Sequence, residues 1–158
     1  MYTLLICSKL LSISYYLADK YLEKGFAPAI ADPARAYYYQ WLFYASITLE
    51  APVEQYLFCV FPDLSEKLLP TASQAVSKED AQQWFDRVCE PLDRLLTEND
   101  YLVENRFSAA DVVTGGVLLW ALRLGMLKQK SPVKSYVTRL RERSPLQKAD
   151  VYAYAEID

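Results

Sequence analysis

Histidine is absent from this chain, and that one absence removes His-based acid/base catalysis, Ser-His-Asp triads and most zinc sites; no metal is expected. Glycine is scarce, four in 158 residues with no Gly-rich run, so the chain encodes no loop of the kind that cradles phosphate. Cysteine is limited to Cys7, Cys59 and Cys89, too widely spaced for a Cys-x-x-Cys site. Their odd number, with no secretory signal, points to reduced thiols and a cytoplasmic protein. The opening Tyr2-Thr3-Leu4-Leu5-Ile6-Cys7 is too short for the apolar stretch of a signal peptide and follows no basic residues. No run reaches the roughly 18 apolar residues of a membrane span, so no membrane partner is expected. Positive charge is also in deficit. Seventeen Lys and Arg against 20 Asp and Glu leave a net charge of −3, without the basic footprint that nucleic-acid binding requires. Basic residues gather between Lys128 and Lys148, but Glu142 interrupts them and helical spacing spreads them around.

What remains is a globular composition, 53% hydrophobic and 23% charged, long enough for one core and one domain over 1–158. The apolar residues recur at the helical period, and no stretch alternates over strand length. The fold class is therefore all-α, a helical bundle. The spacing predicts a first helix from Leu5 to Glu23, stopped by Gly25. Asp32 caps a second, with Pro33 at its first position; it runs toward Phe61 and bends at Pro52, whose ring removes a backbone bond. A short helical piece is expected from Leu64 to Leu69. The third long helix starts behind the capping box Ser77-Lys78-Glu79-Asp80 and ends near Asn99, with Pro91 inside it. Further helices run from Ala109 to about Met126, from Pro132 to Arg143, and from Pro145 to about Ala155.

The most complete local signal is Asn105-Arg106-Phe107-Ser108-Ala109-Ala110-Asp111-Val112. Ser108 is placed to cap the N–H of Asp111, Asp111 reaches back to the N–H of Ser108, and Phe107 and Val112 can close as a hydrophobic staple. Upstream stand Leu17-Ala18-Asp19-Lys20-Tyr21-Leu22, Arg35-Ala36-Tyr37-Tyr38-Tyr39-Gln40-Trp41-Leu42 and Leu49-Glu50-Ala51-Pro52. Downstream, Trp120 to Leu127 leads to Ser131-Pro132-Val133, then Tyr136, Arg139, Leu140, Arg143 and Ser144-Pro145-Leu146-Gln147-Lys148-Ala149. In this order and spacing the sequence resembles the helical C-terminal domain of the cytosolic glutathione transferases, from about Leu11 to Ala149. The segment from Met1 to Lys9 is unmatched.

The resemblance implies that a thioredoxin-like domain should precede these helices, binding glutathione and supplying the Ser, Tyr or Cys that activates its sulfur. That domain is not in this sequence. The family's Glu/Gln-Ser pair, which grips the γ-glutamyl end of glutathione, falls at Lys9 and Leu10. The chain alone is therefore expected to have no catalytic residue and no cofactor, with glutathione entering only if a thioredoxin-like domain is supplied.

On the second helix, Tyr39, Phe43, Ile47 and Ala51 recur every four residues and form one stripe, with Glu50 one position aside. The family resemblance places this stripe, together with Trp120, at the cleft that takes the hydrophobic co-substrate. Tyr39, Phe43, Ile47, Glu50 and Trp120 are thus the candidate binding residues for a small hydrophobic ligand. The plain alternative is that an aromatic stripe at helical spacing is core or a subunit contact. Cys7 has no base within reach, Glu79 and Asp80 are explained by capping, Asp111 is a cap and not a base, and Arg139, Arg141 and Arg143 read as a solvated face.

The second helix is apolar almost all round, so it must be covered on several sides. Inter-domain interfaces bury roughly 600–1,500 Å². At about 25 cal/mol per Å² of apolar area, an uncovered face of that size forgoes on the order of 10 kcal/mol as an upper bound, comparable to a whole domain's stability. A second copy of the chain, or another protein, is expected on the first two helices. The leading functional reading is a non-catalytic binding or assembly module. The alternatives are part of an active glutathione S-transferase whose other half is supplied elsewhere or lost from the sequence, and a remnant without a selected role.

Overall fold

The computed structural model describes residues 2–63 and 76–149, with side chains described from Leu11 onward. The expected piece from Leu64 to Leu69 and the end of the last helix toward Ala155 lie outside the described residues. Among those described, every regular element is helical. In chain order they are α1 (Tyr2–Lys20), a 3₁₀ turn (Leu22–Lys24), α2 (Ala34–Phe43), a π-helical run (Tyr44–Leu49), α3 (Glu50–Val60), α4 (Lys78–Glu98), α5 (Ala109–Arg123), α6 (Pro132–Arg141) and α7 (Ser144–Lys148).

Helix α5 is the axis of the bundle. Its residues Val113, Thr114, Gly115, Val117, Leu118 and Ala121 are all buried, and α1, α2, the π-helical run, α3 and α6 pack around it. Its approach to α6 is close because residue 115 is glycine. A Cβ there would stand 2.5 Å from Cδ1 of Leu140. By contrast α4 is amphipathic, burying Ala81, Phe85, Cys89, Leu92 and Leu96 at helical spacing against α3 and α6. Polar ties help to fix it: the Tyr44 hydroxyl donates to the Val88 carbonyl at 2.7 Å, Gln82 donates to the Met126 carbonyl at 3.0 Å, and Asp93 accepts from the Val133 N–H at 3.1 Å.

The ends of the elements follow capping chemistry. Ser77 accepts from the Asp80 N–H at 3.0 Å, and Ser131 accepts from the Lys134 N–H at 3.1 Å with Pro132 just behind it. Helix α5 stops three residues before the expected Met126, because Gly125 takes φ +73°. The N–H of Gly125 bonds the Leu122 carbonyl and that of Met126 bonds the Ala121 carbonyl, the double closure of a Schellman end. Helix α1 ends at Lys20 and not at Glu23; a 3₁₀ turn intervenes before Gly25 closes it on the Leu22 carbonyl at 3.0 Å.

The largest departure from the sequence reading lies in the second long segment. Ahead of Pro52 the chain runs through π geometry over Tyr44–Leu49 and then resumes as α3. Pro52 has no N–H to offer the Thr48 carbonyl, and its ring pushes against that carbonyl from one turn on. In the widened turn before it, the Glu50 N–H bonds back to the Ala45 carbonyl, five residues away.

Candidate functional site

The first turn of α2 is held by a buried guanidinium. Arg35, only 4% exposed, ion-pairs with Asp19 of α1, donates from Nη1 to the Pro28 carbonyl at 2.6 Å and from Nε to the Tyr39 hydroxyl at 2.8 Å. Its plane lies over the Tyr38 and Tyr39 rings, 5.3 and 5.0 Å from their centroids. One side chain thereby ties α1, the connecting loop and α2 together, and the Asp19 carboxylate answers its charge, as burial demands. Burial by itself would lower the Arg35 pKa; the bonds to Tyr39 and Asp19 more than reverse this and raise it.

Tyr39 receives a second contact from Tyr15 of α1, hydroxyl to hydroxyl at 3.2 Å, the rings 5.7 Å apart. The hydrogen bonds from Tyr15 and Arg35 hold the Tyr39 phenol below its ordinary value. Tyr15, in turn, is raised, first of all by its bond to Tyr39. Beneath them Tyr38 is fully buried, pushed up to about 12 by burial, and its hydroxyl finds no hydrogen-bond partner among the described residues.

The remaining candidates are placed as follows. Phe43 and Ile47 are 58% and 68% exposed, so neither belongs to the core of this chain. Glu50 opens α3 and is buried at 7% exposure, off the surface that the two apolar residues share. Trp120 of α5 is half-buried and packs against the core. Tyr39 is half-buried at the α1–α2 contact. Between Ile47 and Glu50 the chain passes through the π-helical run, whose wider turn changes which residues follow Ile47 onto the outer surface.

The capping motif forms, with α5 starting at Ala109 and the box closed between Ser108 and Asp111. The Asp111 carboxylate is entirely enclosed. It accepts from the Ser108 N–H at 2.7 Å, the Ser108 hydroxyl at 3.0 Å, the Leu102 N–H at 3.0 Å and the Tyr136 hydroxyl at 2.9 Å. Burial raises its pKa, and these bonds pull in the other direction without cancelling the effect. Phe107 stacks edge-on with Phe26 and Tyr101, and the Arg143 guanidinium lies 3.4 Å from its centroid. Val112, its expected partner in the staple, stays 43% exposed.

Two arginines read as solvated from the sequence are engaged. Arg143 covers Phe107, and Arg139 bonds the Asp100 carbonyl at 2.7 Å and pairs with its carboxylate at 2.8 Å. With Arg141, Thr138, Glu142 and Gln147 line an open surface groove of about 310 Å³. Cys89 is buried, which pushes its thiol well up, and the Cys59 thiol donates to the Val76 carbonyl at 3.3 Å; neither has the features of a nucleophile. Cys7, Lys9 and Leu10 have no described side chains. Among the described residues no group of His, Cys, Asp and Glu is arranged to hold a metal ion, and no helix is long and apolar enough to cross a membrane.

Sequence reasoning missed the Arg35 cluster. The spacing of Arg35 and Tyr39, one helical turn apart, was a usable signal, whereas the pairing with Asp19 and Tyr15 across two helices had none.

The family model described as the glutathione S-transferase C-terminal domain matches residues 17–143, inside the 11–149 stretch that carries the resemblance. The chain is similar to several solved structures. A bacterial glutathione transferase, BphK, in a ternary complex, is 24% identical with a TM-score of 0.71, over 88% of this chain and 64% of that one. A glutathione transferase from Methylococcus capsulatus strain Bath is 25% identical with a TM-score of 0.72, over the same shares. Ure2p5 from Phanerochaete chrysosporium, cocrystallised with 1-(S-glutathionyl)-2,4-dinitrobenzene, is 19% identical with a TM-score of 0.71, over 94% of this chain and 70% of that one. The chain spans a little under two thirds of the length of the two bacterial structures. The comparison with curated proteins gave no match.

Proposed function

Since the chain belongs to the glutathione S-transferase C-terminal domain family, we propose that it is a glutathione-transferase-like binding or assembly module that performs no conjugation on its own. The observation that carries this reading is the outward placement of Phe43 and Ile47. Two large apolar side chains on a central helix stay in water while the core closes without them. Covering such a side chain stabilises by roughly 1.5–3 kcal/mol, so the surface is suited to a small hydrophobic ligand. Ile13, Tyr16 and Leu17 on α1 and Tyr37 on α2 are likewise exposed, which suits a second copy of the chain or another protein on the first two helices. The thiols of Cys59 and Cys89, free in the structure, fit a cytoplasmic setting.

The test is direct. The purified chain is passed over immobilised glutathione and assayed with a chlorinated dinitrobenzene; passage without retention or turnover is the expected result. Retention together with turnover overturns the proposal. A second reading, that these helices are one part of a working transferase, is supported by the length comparison, and glutathione would then be held by the other part. Reading the DNA upstream of Met1 separates the two: an in-frame thioredoxin-like domain ending in Glu/Gln-Ser favours the second.

A further inference from the structure

Two side-chain contacts join α1 to α2, Tyr15 with Tyr39 and Asp19 with Arg35, one helical turn apart on each helix. At the tyrosine contact the hydroxyl oxygens stand 3.2 Å apart, and the ring centroids lie 5.7 Å apart with the planes tilted by 38°. Rings that meet hydroxyl to hydroxyl also bring their ortho carbons to the same gap, whichever hydroxyl donates. Arg35 holds one side of that gap still: its Nε donates to the Tyr39 hydroxyl at 2.8 Å and its guanidinium lies over the Tyr39 ring. Tyr15, on the other side, is exposed and so is open to an oxidant in solution. Tyr38 also stands near the Tyr39 ring, with centroids 5.6 Å apart. Its hydroxyl, however, is enclosed without a hydrogen-bond partner among the described residues, and a phenol that loses an electron must pass its proton to an acceptor.

We propose that Tyr15 and Tyr39 form a modification site, at which a haem peroxidase using hydrogen peroxide joins the two rings into an intramolecular dityrosine. Each phenol gives up one electron and its hydroxyl proton. The two radicals then pair as a carbon–carbon bond between the ring carbons ortho to the hydroxyls, and the hydrogens on those carbons move to the oxygens to restore both phenols. The peroxide takes up the two electrons and two protons and leaves as two water molecules. The new bond closes a loop between residues 24 apart in sequence, which narrows the unfolded ensemble and fastens α1 to α2. Unlike a disulfide, a bond between two aromatic carbons is not opened by thiols, so the link persists in a reducing compartment.

The test treats the full chain, at low concentration, with a haem peroxidase and hydrogen peroxide. The expected product shows dityrosine fluorescence, runs as a single chain under denaturing conditions, and has an intact mass lower by two hydrogen atoms. Tryptic digestion should release residues 10–20 fused to residues 36–67. Tyr15→Phe and Tyr39→Phe, which keep the rings, should each abolish this product, whereas Tyr16→Phe and Tyr37→Phe should leave it in place. Tyr15 is a surface position, so its substitution reads the chemistry without disturbing the core. Absence of dityrosine overturns the assignment, as does a product that survives Tyr15→Phe or Tyr39→Phe or is lost with Tyr16→Phe or Tyr37→Phe. Links formed solely between separate chains, in place of the internal bond, overturn it as well.

Discussion

At the scale of single residues, the chain uses buried polar groups to hold connections that apolar packing alone would leave loose. Arg35 and Asp111 are two such groups among the described residues. Around Arg35 the phenols separate in acidity: Tyr39 is lowered by the hydrogen bonds from Tyr15 and Arg35, whereas burial raises Tyr38 and Tyr44. An ultraviolet pH titration should show one phenol ionising ahead of the rest, below the ordinary value of about 10, and Tyr39→Phe should delete that step. Around Asp111 the sign is opposite to that of a paired surface carboxylate. Its native pKa is raised, so between the unfolded value of about 3.9 and the native one the folded state binds more protons. The associated stability is present in full below the unfolded value and is lost as pH rises through the native value. Asp111→Asn turns an N–H toward the Ser108 N–H and should cost about 1–3 kcal/mol at pH 7. Because the amide does not titrate, the margin of the wild type over this variant should be wider at acid pH, a difference that urea melts at two pH values will show.

At the scale of elements, caps were legible and irregularities were not. Ser77 and Ser108 each mark a helix start that the structure reproduces, because an N-cap joins neighbours in sequence. Gly125 was passed over as a stop, although its left-handed backbone closes α5. The π-helical run was not legible: Pro52 signals a disturbance of the backbone ladder, but nothing in the spacing says that the turns before it widen. The candidate stripe suffered from the same gap. A four-residue repeat assumes a regular α-helix from Tyr39 to Ala51, and the helix between them is not regular, so Glu50 is buried while Ile47 is exposed. Packing at Gly115 gives a further prediction. Alanine there gains up to about 1 kcal/mol of helix propensity but drives its methyl into Leu140, itself only 4% exposed, and overpacking costs about 1–3 kcal/mol. Gly115→Ala should be destabilising by about 1 kcal/mol and Gly115→Val by clearly more, as read by thermal melting.

At the scale of the whole molecule, the family and the all-α fold were readable because they rest on motif order and helical period, both carried by the sequence alone. Which apolar residues stay outside the core was not readable, since they run nearly all round α2 and only the folded chain shows which of them the core takes. Tyr38, Trp41 and Leu42 go inside; Tyr37, Phe43 and Ile47 stay out. If Leu17 and Tyr37 belong to a contact between copies, sedimentation should give a species heavier than the 18.2 kDa chain, and the double substitution Leu17→Ser, Tyr37→Ser should return it to one chain. A lasting contact of this kind needs to bury at least about 1,000 Å². A monomer at high protein concentration refutes that arrangement.

The wide turn at Tyr44–Leu49 bears on how this chain tolerates change in length. A single π turn within a helix is equivalent to one extra residue absorbed without shifting the phase on either side. Removing one residue there, Ser46 for instance, should leave every buried position before Tyr44 and after Leu49 facing as it does now, while the same excision from the middle of α5 would rotate half of that helix out of the core. The π-helical run is thus a place where the loss of one codon is expected to leave the fold standing.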